Sequence, residues 1–267
     1  MRELWQVQPH AAFKLGSLKP GSTPGLEGGH QAAKAALPRY REELAGLQDR
    51  LWAEAKRSLL VVVQGIDASG KDGTIKHVFE GVNPQATRVT SFKEPTSEEL
   101  AHDFLWRVHR AMPRRGEIGI FNRSHYEDVL VARVRRLVPE KIWHARYQQI
   151  VDFEREIVAG GTGIIKFWLV ISKKEQKERF EERLTLPAKR WKFRRSDLDD
   201  RALWDEYQQA YRDAIRATAT AEAPWYVIPA DHKWYRNWAV GVVLIETLKA
   251  MRPRYPRPEN LDGVVVT

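Results

Sequence analysis

The run Gly65-Ile66-Asp67-Ala68-Ser69-Gly70-Lys71 gathers the residue types that hold a phosphate group. Glycines let a backbone wrap closely around an anion and aim its N–H groups inward. A lysine at the end of the run supplies a mobile cation. The spacing fits G-x-x-x-x-G-K, whose meaning depends on a strand before it and a helix after it. Both are predicted. Leu59 to Val63 is an unbroken, largely β-branched run, suited to a central parallel strand covered on both faces. Gly70 to Gly81 reads as a helix whose positive dipole end would face the anion. Gly65, Ala68, Ser69, Gly70, Gly73 and Thr74 are therefore expected to form the phosphate-binding segment, with Lys71 reaching the transferred group.

Two carboxylates complicate this cradle. Position 72 is Asp, where Ser or Thr normally meets magnesium, and Thr74 is nearby but out of register. Asp67 lies inside the loop, where it would repel bound phosphate unless a cation intervened. Asp67 is thus expected to hold Mg²⁺ or to position an acceptor phosphate, with a turn-forming Asx role as the competing reading. Asp72 is expected among the substrate-binding residues, although a carboxylate in a first helical turn is favoured by the dipole in any case.

Cations recur downstream. Arg183, Lys189, Arg190, Lys192, Arg194 and Arg195 crowd a stretch short of aliphatic residues, with Trp191 and Phe193 alternating among them. Such a segment suits a lid, at about residues 183–203, that closes over phosphates and excludes water. The aromatic pair would anchor the lid, stack on a base or pack in the core. A solvated basic loop is the alternative.

The elements that must position these groups alternate. Leu37, Tyr40, Leu44, Leu47 and Leu51 mark an amphipathic helix ending near Lys56, with Pro38 in its first turn or bending it. Strands are predicted at Leu59–Val63, Arg88–Phe92, Ile118–Phe121, Ile164–Ile171 and Trp225–Ile228. Helices are predicted between and after them. Thr96 with Glu99 opens one that runs to about Met112, and Ser124–Leu137 reads as another. Pro139–Ala159 follows, then a helix opened by Ser172 with Glu175, then about Arg201–Thr220 and Trp234–Met251. Alternating strands and helices imply an α/β fold, a parallel sheet with helices on both faces. Residues 1–30 read as an extended arm. Residues 1–57 would form an arm and helix packed on a core domain of residues 58–267.

The chain has 267 residues, 44 Lys and Arg against 35 Asp and Glu, and a net charge of +9, which favours a polyanionic partner. It has no cysteine, which excludes disulfides and thiolate chemistry. No apolar run approaches membrane-spanning length and no signal peptide is evident, so a cytoplasmic protein without a membrane partner is expected.

Three segments together resemble the polyphosphate kinase 2 family: Gly65 to Thr74, then Asn122-Arg123-Ser124-His125-Tyr126-Glu127-Asp128, then Lys189-Arg190-Trp191-Lys192-Phe193. The resemblance runs from about Leu26 to Met251. It implies a thymidylate-kinase-like P-loop core, a basic lid, and reversible, Mg²⁺-dependent transfer between inorganic polyphosphate and nucleotides, with Mn²⁺ as an alternative metal. The family's functional residues fall on Asp67, Lys71 and Arg123, and its lid arginines on Arg183 and Arg190. Much of the family has Asp where this chain has Asn122, with Glu127 as a compensating carboxylate. The Asn-Arg-Ser-His-Tyr-Glu-Asp form is similar to the class III subgroup, which accepts AMP and ADP and so makes ATP from AMP. A homodimer or homotetramer is implied.

The chemistry is consistent with this resemblance. A nucleotide's terminal phosphate is largely ionised near neutral pH, with a second pKa of about 6, and needs no strong base. His125 is accordingly expected to pack or hydrogen-bond. Lys71, Arg123 and Mg²⁺ would screen the repulsion between donor and acceptor. The competing readings are an ATP-dependent nucleoside monophosphate kinase and, less favoured, a nucleic-acid-binding P-loop protein.

Overall fold

In the computed structural model, the described residues are 1–9 and 19–260, with Asp262, Val264 and Val266. The buried run predicted for the first strand forms β1 (Ser58–Gln64), enclosed at every position. It lies at the centre of a parallel sheet with β2 (Thr87–Ser91), β3 (Ile118–Asn122), β4 (Thr162–Val170) and β5 (Trp225–Pro229), in the order β2-β3-β1-β4-β5. Val63 of β1 pairs with Asn122 of β3 and with Phe167 of β4, so β1 and β3 end side by side and β4 runs on to Val170. The crevice beyond such carboxyl ends is where open α/β sheets bind ligands.

Alternation along the strands divides the core. Leu59, Val61 and Val63 face one layer, with Ile118, Ile120, Ile165 and Phe167. That layer is covered by α1 (Gly29–Glu54), α2 (Lys71–Val78) and α11 (Lys233–Met251). Leu60 and Val62 face the other layer, with Phe121, Trp168 and Val227. It is covered chiefly by α4 (Trp106–Ala111), α5 (Val131–Val134), α6 (Glu140–Ala159) and α10 (Trp204–Thr218). The expected fold, a parallel sheet with helices on both faces, is present. The short helix α3 (Ser97–Leu100) precedes α4, and α7 (Lys173–Thr185), α8 (Pro187–Arg190) and α9 (Ser196–Ala202) lie between β4 and α10.

Several boundaries differ from expectation. α1 begins at Gly29, eight residues before Leu37, so Pro38 sits inside it. The extra turns are rich in Ala, which favours helix without showing an apolar period. Thr96 and Glu99 do form a reciprocal capping box, but the helix they open stops at Leu100 and a second begins at Trp106. The helix expected over Ser124–Leu137 is a 3₁₀ turn, His125–Asp128, followed by one turn of α5.

The arm expected over residues 1–30 is partly structural. Trp5 is buried and donates its indole N–H to Tyr235 at 3.0 Å. Gln6 bridges Tyr226 antiparallel, so the arm covers the free edge of β5. Residues 10–18 of the expected arm lie outside the described residues, as do 261, 263, 265 and 267 at the other end. The apolar faces of α1 and α6 are consumed by the core through Leu44, Leu47, Leu51, Tyr147, Ile150 and Phe153. Trp52 and Ile142 remain exposed on them. No helix of the described residues is long and apolar enough to cross a membrane.

Candidate active site

The loop after β1 has the geometry its sequence requires. Gly70, at φ 98°, starts α2 from the left-handed region that glycine tolerates. A Cβ there would also collide with the guanidinium of Arg236. At Gly65 a Cβ would come within 2.9 Å of the Ser69 Cβ and 3.0 Å of the Leu169 carbonyl oxygen. Lys71 is buried and its Nζ donates to the carbonyl oxygens of Gly65 at 2.6 Å and Ile66 at 3.3 Å. Burial, and then Arg123, pull its pKa down to about 8 against the opposing carboxylates of Asp67, Glu127 and Asp72.

Arg123 stands across from this lysine. It follows β3 at φ 62°, a left-handed conformation uncommon for a residue with a side chain, and its N–H donates to Val63 O at 3.1 Å. The guanidinium then spans two carboxylates, with Nη2 to Asp67 Oδ1 at 2.6 Å and Nη1 to Glu127 Oε2 at 3.2 Å. Glu127 above all, and also Asp67, hold the guanidinium more basic than an isolated arginine, against the effect of burial. Ser124 places Glu127 by accepting the Tyr126 N–H and starting the 3₁₀ turn. His125 is fully buried, pairs with Glu154 at 3.2 Å and stands edge-on to Phe153, which is the packing role expected of it.

Asn122 donates through Nδ2 to Asp72 Oδ1 at 2.8 Å. Lys192 of the basic segment approaches the same carboxylate at 3.6 Å. Burial alone would raise the Asp72 carboxyl. The Asn122 hydrogen bond, Lys192 and Lys71 outweigh it and hold the group below the usual carboxylate range.

These groups share a cleft of about 1770 Å³ with Ala68, Gly70, Gly73 and Arg183. Ligand pockets commonly measure about 300–1,000 Å³, so this space accommodates more than one small molecule. Gly65, Ser69 and Thr74 lie beneath the cleft surface. Thr74 Oγ1 turns back along α2 to donate to Gly70 O at 3.1 Å, a bond open to any helical threonine. Arg183 faces the cleft and contacts Asp197 at 3.5 Å. Arg190 does not line it, because its Nε donates to Leu184 O at 2.9 Å. The two aromatics of the basic segment divide their roles: Phe193 packs edge-on against Phe180, and Trp191 is 76% exposed with the Lys192 ammonium over its ring.

Two buried arginines are absent from the sequence-derived set. Arg179 on α7 donates to the carbonyls of Ala68 at 2.8 Å and Ser69 at 3.1 Å, and through its other nitrogens to Ala230, Asp231 and Glu175. It ties the phosphate loop to the segment after β5. Arg236, in the first turn of α11, donates to Ser69 O at 3.4 Å. The available signal was Gln176-Arg179-Phe180, where two polar residues occupy stripe positions of a helix that should be apolar.

The model of the family described as Polyphosphate kinase 2 (PPK2) matches residues 28–256. The chain belongs to this family. It is 55% identical over 98% of its length, and 98% of the other's, to an AMP/ADP-polyphosphate phosphotransferase of Meiothermus ruber. An ADP-polyphosphate phosphotransferase of Rhodopseudomonas palustris is 44% identical over 80% of this chain and 78% of that one. The crystal structure of polyphosphate kinase 2 from Arthrobacter aurescens TC1 superimposes with a TM-score of 0.93 at 41% identity, covering 96% of this chain and 92% of that one. This member of the family is a phosphotransferase, and membership implies a divalent metal in the reaction. Its residues suit a hard cation. Asp67 and Glu127 offer carboxylate oxygens at the cleft, and no cluster of three or more metal-binding side chains exists among the described residues. That donor set fits an ion which takes one or two carboxylates and completes its shell with phosphate and water.

Proposed function

We propose that this chain moves the terminal phosphoryl group of inorganic polyphosphate onto AMP and onto ADP, reversibly, in the cytoplasm. The observation that carries the reading is Arg123 held between Asp67 and Glu127 opposite Lys71, in a chain that matches almost end to end a relative named for both acceptors.

Phosphoryl transfer asks for positioning and charge neutralisation rather than covalent chemistry. Lys71 and the amides at the start of α2 bind the transferred group. Arg123 places its planar fork where two phosphates meet and can engage two oxygens at once. Asp67 and Glu127 would hold Mg²⁺, which when bound neutralises phosphate charge between donor and acceptor. Asn122 orients Asp72, and Asp72 in turn receives Lys192, which draws the basic segment of residues 183–203 over the cleft and limits water. Arg183 adds a cation from that segment. The attacking phosphate is already ionised near neutral pH, its second pKa being about 6, so no residue serves as a strong base. Assembly into a homodimer or homotetramer belongs to the same proposal, with exposed Trp52 and Ile142 available at the surface.

The test is turnover by purified protein with AMP, Mg²⁺ and polyphosphate, with nucleotides separated by chromatography, beside a sample in which ATP replaces polyphosphate. ADP and then ATP are expected only with polyphosphate. ADP without ATP would remove the second acceptor. Product only with ATP would make the chain an ATP-dependent nucleoside monophosphate kinase and overturn the proposal.

A further inference from the structure

Arg236 is only 2% exposed, yet no carboxylate among the described residues forms a salt bridge with it. Its contacts are Nε and Nη2 to the neutral Asn237 Oδ1, at 3.2 and 2.9 Å, and Nη1 to Ser69 O at 3.4 Å. An arginine has five N–H donors, so these contacts leave two unused. Arg179 is buried to a similar degree but is paired with Glu175 and with four carbonyls. A buried charge without an opposite partner is costly to a fold and is normally paired. Burial, with Arg179 adding to it, draws the Arg236 guanidinium down to about 9.

Its position gives the charge a use. Nη1 lies against Gly70 and Nη2 within 3.2 Å of where a Gly73 Cβ would stand, so the two glycines make room for it at the start of α2. It lines the cleft. The cleft wall built by α1, α2 and α11 also carries Lys34, Lys76, His77 and Lys233, and Asp72 is its single carboxylate. The rest of the lining mixes both signs, with Glu127 and Asp197 beside Arg123 and Arg183, and Glu182 of α7 pairs with Lys233 at 3.5 Å. With Asp72 as its one carboxylate, the α1–α2–α11 wall suits a polyanion.

We propose that Arg236 is a phosphate-binding residue for inorganic polyphosphate, receiving a phosphate of the chain next to the one held by the loop at Lys71. The proposal rests on the functional reading above. Polyphosphate then supplies the anion that the fold withholds from this guanidinium, and α11 becomes part of the donor site.

The experiment compares wild type with Arg236→Met and Arg236→Lys. It measures KM for polyphosphate, KM for ADP, the melting temperature, and the rise in melting temperature with tripolyphosphate. Losing a charge-assisted contact should raise the polyphosphate KM of Arg236→Met about ten- to hundredfold while leaving the ADP KM within about threefold. Its melting temperature without ligand should stay within about 3 °C of wild type or rise, because an unpaired buried charge has been removed. Arg236→Lys should recover part of the polyphosphate KM. Tripolyphosphate should raise the melting temperature of wild type more than that of Arg236→Met. An unchanged polyphosphate KM would overturn the proposal. So would a strongly destabilised but folded Arg236→Met whose two KM values rise together, since that describes a loop support and not a ligand contact; if Arg236→Met does not fold, an Arg236→Lys with both KM values unchanged overturns the proposal in its place. A wild type inert with polyphosphate would sink the functional reading instead, and the tripolyphosphate shift would still decide Arg236.

Discussion

Substituting Arg123 separates its backbone from its guanidinium, because the two make opposite demands on the fold. The residue sits at φ 62°, where a side chain costs about 1–2 kcal/mol that glycine does not incur. Glycine in turn gives the unfolded chain extra freedom, a loss of about 0.5–1 kcal/mol. The ion pairs to Asp67 and Glu127 involve a guanidinium 36% exposed, so solvent screening limits each to about 1 kcal/mol or less. These terms nearly cancel, and Arg123→Gly should unfold in urea within about 1 kcal/mol of wild type. Arg123→Ala keeps the conformational cost and loses the pairs, so it should be the less stable of the two.

Activity should ignore that difference. On the proposed mechanism both variants would leave Asp67 and Glu127 facing the transferred phosphate without the cation between them. Removing a preorganised charge of this kind costs at least about 10²-fold in rate, or about 2.7 kcal/mol of barrier. Both should therefore lose kcat by that factor or more. The assay is initial rate with saturating polyphosphate and ADP, alongside urea melts. A kcat within about threefold of wild type in either folded variant would remove Arg123 from transition-state stabilisation. Rate losses that rank with the stability losses would show that the residue acts only by shaping the loop.

Lys71→Ala should abolish transfer with the fold intact, as read by circular dichroism beside the turnover assay. Lys71 must be protonated to attract phosphate, so kcat/KM for polyphosphate should fall as pH rises through about 8, and Lys71→Arg should move that fall to higher pH. Stability runs the other way: between about pH 8 and the unfolded value near 10.4 the unfolded chain binds more protons at this site, so the lysine's penalty on the ligand-free fold is relieved as pH rises, and Lys71→Met should lack that relief in melts across the same range. Gly70→Ala combines a left-handed φ with a clash against Arg236 and should cost at least about 2 kcal/mol, part of it restored when Arg236→Ala is added. Arg179→Met, which strips four carbonyls and Glu175 of their donor, should lower stability by about 2–4 kcal/mol and depress kcat/KM, and an unaltered urea midpoint would refute the anchoring role.

The sheet was legible because burial writes itself into composition. Leu59–Val63 is apolar without interruption, and Ile164–Ile171 is broken only by Lys166, as expected of strands covered on both faces. The loop at Gly65–Lys71 was legible because its glycines answer local demands that a sequence states directly. Helices held by tertiary contact were not. Nothing in Ser124–Leu137 reveals that Ser124 turns the chain into a 3₁₀ segment, yet that turn brings Glu127 to Arg123. Arg190 and Arg183 look equivalent in a run of cations, and only the fold of α7 and α8 sends one to Leu184 and the other to the cleft. Arg179 and Arg236 lie 111 and 167 positions from the loop carbonyls they reach, a separation across which no periodicity carries information.

The charges of the site follow one rule. The cations near the loop are graded by how fully the oxygens of the fold satisfy them. Arg179 is saturated by carbonyls and Glu175, so it fixes the loop and offers nothing to a ligand. Arg123 is shared between two carboxylates at the cleft surface, where on the proposed mechanism phosphate oxygens would compete for the guanidinium and a metal for the carboxylates. Lys71 is held only by carbonyl dipoles, and Arg236 by a neutral amide and one long contact. A reaction that brings two polyanions together needs this gradation. Fully paired cations would not bind substrate, and wholly unpaired ones would oppose folding before substrate arrives. The depressed basicity of Lys71 and Arg236 records that opposition at the two places where phosphate would relieve it.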